Sequence, residues 1–467
     1  MSMQELRGDT IAAVATPNAV GGISVVRISG PDAIAVADRF FQPVSGRKLA
    51  DHKGYTAAYG RIVREGEALD DGIATVFRAP HSYTGEDVVE ISCHGGLLVT
   101  REVLRATLRH GARLAGPGEF TRRAFLNGKL SLTQAEAVAD LIGASSEQSL
   151  RAARSAMDGA LYRKIKGITD NLLGISAHLA AYIDYPEEDV EDVEPDQLLK
   201  SCQQSLTDLE GLLRNFDRGR LMREGVDTVI VGKPNVGKST LMNLLSGCDR
   251  SIVTDIPGTT RDIVEETVNL GDVVLRLADT AGIRDTANPV ERIGVDIALG
   301  RLEKAGLALA VFDLSEPLSA EDQRILQELS ERELPVVAVL NKNDLSPVWN
   351  PEEISSRFPH TVILSAGGSE EDQQAALAAL NREIAQLLSL TDFDPGQALL
   401  ANERQRSCAE EAAGLLREVC DTIQAGYTLD AVDVALESAL SVLFRLTGEK
   451  VSDRVVDEVF EKFCVGK

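Results

Sequence analysis

Eight consecutive residues, Gly232-Lys233-Pro234-Asn235-Val236-Gly237-Lys238-Ser239, carry the clearest chemistry in this chain. They follow the apolar, β-branched run Thr228 to Val231 and lead into a segment that favours helix from about Lys238. G-x-x-x-x-G-K-S between a strand and a helix is a phosphate-binding P-loop. Its glycines let the backbone curl so that successive N–H groups face phosphate oxygens, and the helix N-terminus adds partial positive charge. Lys238 is expected to reach the β- and γ-phosphates and Ser239 to ligate Mg²⁺, with Val236, Gly237 and Thr240 completing the cradle.

Three further segments follow in the order such a loop requires. The strand-like run Val274 to Ala278 ends in Asp279-Thr280-Ala281-Gly282, where Asp279 would order the Mg²⁺ shell and the Gly282 N–H would meet the γ-phosphate. Pro335 to Leu340 ends in Asn341-Lys342-Asn343-Asp344. A carboxylate at Asp344 can accept from both the N1–H and the 2-amino group of guanine, whereas adenine has neither donor, so GTP is preferred over ATP. Val362 to Leu364 leads to Ser365-Ala366, placed for a backbone contact to the guanine O6. Ile283 stands where many such enzymes carry a glutamine that orients the attacking water, so that task falls to another group. Arg284 and Arg292 are nearby, but no arginine finger in cis is evident.

The elements that must position these residues fall into four pieces. At 467 residues the chain suggests about three domains. The assigned boundaries are 1–125, 126–222, 223–390 and 391–467. The first piece mixes strands (Ile23 to Ile28, Gly72 to Phe77, Val88 to Ser92) with a helix from Val99 to His110 stopped by Gly111, and reads as α/β or α+β. The second is helical. Thr133 and Glu136 read as a capping box ahead of a helix with apolar positions Val138, Leu141, Ile142 and Leu150. The third alternates strand and helix, giving a doubly wound, Ras-like P-loop G domain. The fourth is helical again, so the G domain reads as an insertion into one helical domain, with its ends close together.

Composition excludes several classes. With 44% hydrophobic residues and no apolar run of about 18, a membrane span is not expected. The first residues lack a signal-peptide core, which points to the cytoplasm. Six cysteines are scattered without metal spacing and read as packed thiols, Cys464 near the end being the exception. A net charge of −24 argues against a general nucleic-acid footprint, so any RNA contact would need a local patch or a partner. The acidic run Glu187 to Glu194 reads as a solvated connection between helices.

Taken together, these residues resemble the MnmE (TrmE) family of tRNA-modification GTPases, over essentially the whole chain. The resemblance lies in Thr16 to Gly30, Tyr83 to Gly96, Pro117 to Ile142, the P-loop, Thr254-Asp255-Ile256-Pro257-Gly258-Thr259-Thr260-Arg261-Asp262, Val290 to Gly294, and the terminal Cys464-Val465-Gly466-Lys467. It implies a K⁺-dependent GTPase, activated when two G domains meet. K⁺ would be held by Asn235 with Thr254, Ile256 and Thr259, Mg²⁺ would be completed by Thr260, and Glu291 would organise the attacking water. It also implies a constitutive homodimer whose N-terminal α/β piece binds a tetrahydrofolate one-carbon donor through Arg27, Glu90, Lys129 and Lys467. Cys464 would be a reactive thiol beside that site. The family works with a flavoprotein partner that carries FAD, and modifies C5 of uridine 34 in tRNA. Val465, Pro257 and the Gly367-Gly368 pair, which would loosen the guanine loop, depart from the usual pattern without removing a needed side chain. The alternatives are a regulatory or ribosome-assembly GTPase switch, and a folate-dependent transferase with an auxiliary GTPase. The resemblance in the N-terminal segment and tail disfavours the first, and no second nucleophile-binding site in residues 1–125 supports the other.

Overall fold

The computed structural model describes residues 8–184, 192–247, 266–271, 273–277, 302–303, 305–391, 393–461 and 463–466. Its chain divides into two compact units, one of residues 1–139, 157–208 and 407–467, the other of 140–156 and 209–406.

The first unit is built on a seven-stranded sheet. Its strands are β1 (Ile11–Val14), β2 (Ile23–Ser29), β3 (Phe41–Pro43), β4 (Thr56–Arg64), β5 (Glu67–Phe77), β6 (Val88–His94) and β7 (Arg113–Leu114), in the order β3-β4-β5-β6-β2-β1-β7. All pairs are antiparallel except β1 with β7, so the sheet is mixed. Period-2 alternation sends Val26, Ile28, Ala74, Val76, Val89 and Ile91 into a core with helix Ala33–Asp38 and helix Leu97–Arg109. On other strand positions Ile23, Tyr59 and Ile73 are exposed. Helix Ala160–Asp184 packs along helix Leu429–Thr447, with Ser176 Oγ donating to Asp433 at 2.7 Å. Leu132, Ala135 and Val138 join Val456, Phe460 and Phe463 in a smaller core.

Two details of the sequence reading are corrected here. The helix Leu132–Gly143 is capped by Ser131 and Gln134: Ser131 N donates to Gln134 Oε1 at 3.0 Å and Gln134 N to Ser131 Oγ at 3.3 Å. Serine and glutamine satisfy the same reciprocal rule two residues earlier, and Thr133 and Glu136 lie inside the helix. Ile142 and Leu150 are exposed, at 54% and 48%, and do not belong to an apolar stripe.

The second unit holds a six-stranded sheet of β8 (Val226–Val231), β9 (Glu266–Asn269), β10 (Val274–Leu277), β11 (Leu307–Asp313), β12 (Val336–Asn341) and β13 (Thr361–Ile363). The order is β13-β12-β11-β8-β10-β9, parallel except for β9. β11 is buried along its whole length because both faces are covered. Leu309 and Val311 pack with helix Lys238–Ser246 and helix Glu370–Leu387, while Ala310 and Phe312 pack with helix Ala320–Ser330. This is the doubly wound arrangement expected from the sequence. It brings the carboxyl ends of β8, β11 and β12 to one edge, where ligands of such sheets bind.

Candidate functional site

β8 ends at Val231 and the chain turns through Gly232 into the P-loop, with Asn235 at φ 65° and Gly237 at φ 97°. The helix begins at Lys238, with Gly237 as its N-cap. Lys238 Nζ donates to the carbonyls of Gly232 and Lys233, both at 2.7 Å, and so spans the loop. Lys233 turns the other way, onto the buried Asp322 at 3.0 Å. Asn235, Ser239 and Thr240 are exposed and Val236 is buried beneath the loop.

Asn341, at the end of β12, ties this loop to the guanine side. Its amide Nδ2 donates to Val236 O at 2.8 Å, and its Oδ1 accepts from Ala366 N at 3.0 Å. All of this is buried, which explains Gly237: a Cβ there would stand 2.2 Å from Asn341 Nδ2. Asn341 is therefore a brace between two loops, a role the sequence pattern did not reveal because its partners are 105 and 25 residues away. Lys342, at φ 65°, places Nζ 2.5 Å from Asp313 Oδ2 at the end of β11. Burial disfavours the charged Asp313, but the Lys342 ammonium and two hydrogen bonds from Ser315 outweigh it and hold the carboxyl below its ordinary range. Asp344 is exposed and accepts a short hydrogen bond from Ser365 Oγ, which orients the carboxylate proposed to read the base. The loop after Ser365 is closed by Gly368 N onto Ser365 O at 3.3 Å, and Ser369 with Asp372 caps the following helix, so the two glycines do not leave it loose.

Several expected site residues lie outside the described residues: Thr254, Asp255, Ile256, Pro257, Gly258, Thr259, Thr260, Asp279, Thr280, Ala281, Gly282 and Glu291 on the nucleotide side, and Lys467 at the terminus. Of the expected Mg²⁺ ligands Ser239 is described, and of the K⁺ ligands Asn235.

In the first unit Arg27 and Glu90 sit opposite each other on β2 and β6, and Arg27 Nε donates to Glu90 Oε1 at 2.8 Å. The Arg27 guanidinium lies 5.6 Å from the ring centres of both Tyr83 and Phe120. Lys129 stands apart from that pair in its contacts. Its Nζ donates to Pro80 O at 3.1 Å, and its stem packs beside Gly85. Gly85 also lines a cavity of about 690 Å³ with Pro31, Ala79, Glu86, Asp87, Leu126 and Asn127. Cys464 is exposed, while Cys93, Cys202, Cys408 and Cys420 are buried. Burial, aided by the Asp70 charge, pushes the Cys93 thiol up to about 11, and burial, aided by Cys420, pushes Cys202 up to about 12.

A cluster of charges around a buried ion pair was not singled out from the sequence. Arg113 and Arg123 converge on Glu119: Arg113 Nη1 and Nη2 donate to its two oxygens at 2.8 and 2.5 Å, and Arg123 Nη2 donates at 3.0 Å. Asp9 accepts from both arginines, and Glu86 accepts from Arg123 at 3.2 Å. Arg123 is 2% exposed and Glu119 5%. Burial opposes ionisation of Glu119, yet the two guanidinium groups and Gly116 N–H hold its pKa below the ordinary value. The signal available was the run Gly118-Glu119-Phe120-Thr121-Arg122-Arg123, one acid and two bases within six residues.

A doubly wound sheet, a P-loop at the end of its central strand and a braced loop carrying Asn341 to Asp344 define a P-loop GTPase. Residues 10–129 match the model of the GTP-binding protein TrmE N-terminus, and residues 132–464 match that of the MnmE helical domain. The chain is 42% identical over 460 residues to the tRNA modification GTPase MnmE of Symbiobacterium thermophilum, covering 98% of this chain and 99% of that protein. It is 43% identical over 466 residues to the protein of the same description from Heliobacterium modesticaldum, covering 98% and 100%. Among solved structures, Era of Aquifex aeolicus bound to GDP·AlF4⁻ is 28% identical over 41% of this chain and 66% of that one, at a TM-score of 0.26. The chain belongs to the MnmE family of tRNA modification GTPases. Among the described residues no helix is long and apolar enough to cross a membrane.

Proposed function

We propose that this GTPase is K⁺-activated and works as a homodimer with a flavoprotein partner carrying FAD, to install an aminomethyl-type group at C5 of wobble uridine 34 in certain tRNAs. A tetrahydrofolate derivative supplies the carbon when bound in the N-terminal unit. The observation that carries the nucleotide half is the Asn341 brace, which sets the phosphate loop and the base-reading loop in fixed relation. Ser239, an exposed hydroxyl on the first turn of the P-loop helix, fits Mg²⁺, with Thr260 and Asp279 assigned to the same ion. Asn235, exposed on the P-loop, fits K⁺ together with Thr254, Ile256 and Thr259. K⁺ would supply the positive charge otherwise given by an arginine finger, and Glu291 would orient the water that Ile283 cannot.

For the folate half, the support is the segment that follows Pro117. It contributes Phe120 beneath Arg27, ends at Lys129, and offers Gly118 N to the C-terminal tail. Arg27 and Glu90 are paired with each other, so a pterin would have to share Glu90 with Arg27. Arg27 or Lys129 would meet the anionic glutamate tail, with Lys467 reaching the same pocket. The exposed Ile23, Tyr59 and Ile73 on the sheet are consistent with cover by a second copy. With a net charge of −24, the chain leaves most tRNA contacts to the partner. K⁺ activation is tested by hydrolysis in KCl against NaCl at matched ionic strength. Faster turnover in KCl, lost in Glu291→Ala with nucleotide binding retained, is expected. Equal slow rates in the two salts would remove the K⁺ site.

A further inference from the structure

The ionic cluster around Glu119 is used by nothing in the nucleotide site, and burying the Glu119–Arg123 pair at its centre is not an efficient way to stabilise a fold. Apolar residues of similar volume generally do as well, so such a cluster asks for a geometric role. What it touches supplies one. Glu119 closes the turn that precedes its own helix from both sides: its N–H donates to Gly116 O at 3.3 Å, and its carboxylate accepts from Gly116 N at 2.9 Å. The turn between them presents Gly118 at φ 61°, where a Cβ would meet Phe463 Cβ at 2.9 Å and Phe460 O at 3.0 Å.

On that turn the end of the chain docks. Gly118 N donates to Cys464 O at 3.3 Å, and Pro117 bridges to Val465 in the antiparallel sense. Gly466 then comes so close to β1 that a Cβ there would stand 2.3 Å from Val14 O. Chain ends ordinarily fray unless something ties them down. Here the ties are the backbone bridge of Pro117 with Val465, which includes the Gly118–Cys464 hydrogen bond, and the packing of Phe463, both on the Gly116–Gly118 turn, with Gly466 against β1 beyond them. The carboxylate of Glu119 is in turn fixed by Arg113 and Arg123, whose other hydrogen bonds run to Asp9 at the edge of β1 and to Glu86.

We propose that Glu119 is a positioning residue for the C-terminal tail: held by Arg113 and Arg123, it shapes the turn on which Cys464-Val465-Gly466 docks and so sets where the Cys464 thiol stands. The catalytic relevance of that placement rests on the reading above in which the tail enters the N-terminal site; the placement itself does not. Glu119→Gln keeps the shape but puts an uncharged amide, with donors of its own, against two guanidinium groups.

The test uses the full-length protein and carboxypeptidase, following release of the terminal residues by mass spectrometry, with thermal unfolding and GTP hydrolysis as the measures that the two units are intact. Loss of a buried charge-assisted hydrogen bond should raise the undocked population, and with it the release rate, about tenfold or more. Release at the wild-type rate in Glu119→Gln overturns the positioning role. Faster release accompanied by loss of tRNA modification in vivo supports both the role and the placement of the tail in the modification site. Faster release with modification unchanged keeps the positioning role and overturns the use of the tail in that site. Should Glu119→Gln fail to fold, Arg113→Lys removes the two-pronged contact while keeping the charge at a partly exposed position. It should raise release by a smaller factor, and no rise overturns the proposal.

Discussion

Replacing Asn341 with alanine isolates the brace between the two nucleotide loops. The side chain makes two buried hydrogen bonds, to Val236 O at 2.8 Å and from Ala366 N at 3.0 Å. Truncation leaves a buried carbonyl on the P-loop and a buried amide on the guanine loop without their partners. Unpairing groups of this kind costs about 1–3 kcal/mol each, and partial relaxation toward water brings the pair to roughly 2–4 kcal/mol. Because the brace joins the two loops that hold the nucleotide, much of that loss should appear as weaker nucleotide binding, about 30- to 700-fold if all of it does. The assay is titration with fluorescent GDP, with thermal unfolding of the nucleotide-free protein measured alongside to apportion any loss that falls on the fold itself. Asn341→Asp sharpens the comparison. It keeps an acceptor for Ala366 N but turns a carboxylate oxygen toward the Val236 carbonyl, so it should bind no better than the alanine variant despite its identical shape. Binding within about threefold of wild type in both variants, with unfolding temperature unchanged, would refute the brace, since that lies below the effect of one ordinary hydrogen bond.

Two further outcomes follow from neighbouring groups. Asp344→Asn exchanges an acceptor for a donor opposite the base, so preference should move from guanosine to xanthosine nucleotides, whose ring carries a carbonyl at the same corner; competition binding with the two diphosphates measures it. Asp313 has its pKa held below the ordinary carboxylate value by Lys342 and Ser315, after the opposing effect of burial. Its contribution to stability is therefore present above its unfolded pKa, about 4, and fades as pH falls from there through the lower folded value. Denaturation of wild type and Asp313→Asn across that acid range should show their difference shrinking, and a constant difference would contradict the ion pair.

The parts of this molecule that could be read in sequence are those whose information is local. The P-loop, the strand before it and the helix after it lie within about twenty residues, and glycine and lysine at fixed offsets announce them. The strand ending at Asn341 was legible because a parallel strand covered on both faces is a short apolar run, and those ending at Leu277 and Ile363 because their β-branched and apolar residues run up to a loop motif. The brace at Asn341 was not, because its two bonds join segments that only the sheet order brings together. The cluster of Asp9, Glu86, Arg113, Glu119 and Arg123 spans more than one hundred residues, and each member alone looks like a solvated charge. At Ser131 the error was different: two capping boxes overlapped, and the serine with Gln134 won over Thr133 with Glu136. Ile142 and Leu150 fit a helical spacing but face away from the core, a distinction that periodicity cannot make.

One contact within the GTPase unit has a practical bearing on how the gene can be cut. Arg223, in the helix just ahead of β8, donates to Leu400 O at 3.2 Å and Ala401 O at 2.5 Å, and Gly219 on the same helix lies beside Leu399. The chain therefore comes out of the nucleotide-binding sheet within one side chain's reach of where it went in. A segment whose ends lie that close can be permuted by joining them, because closing so short a gap costs little chain entropy, provided residues 140–156, which belong to the same compact unit, are kept with it.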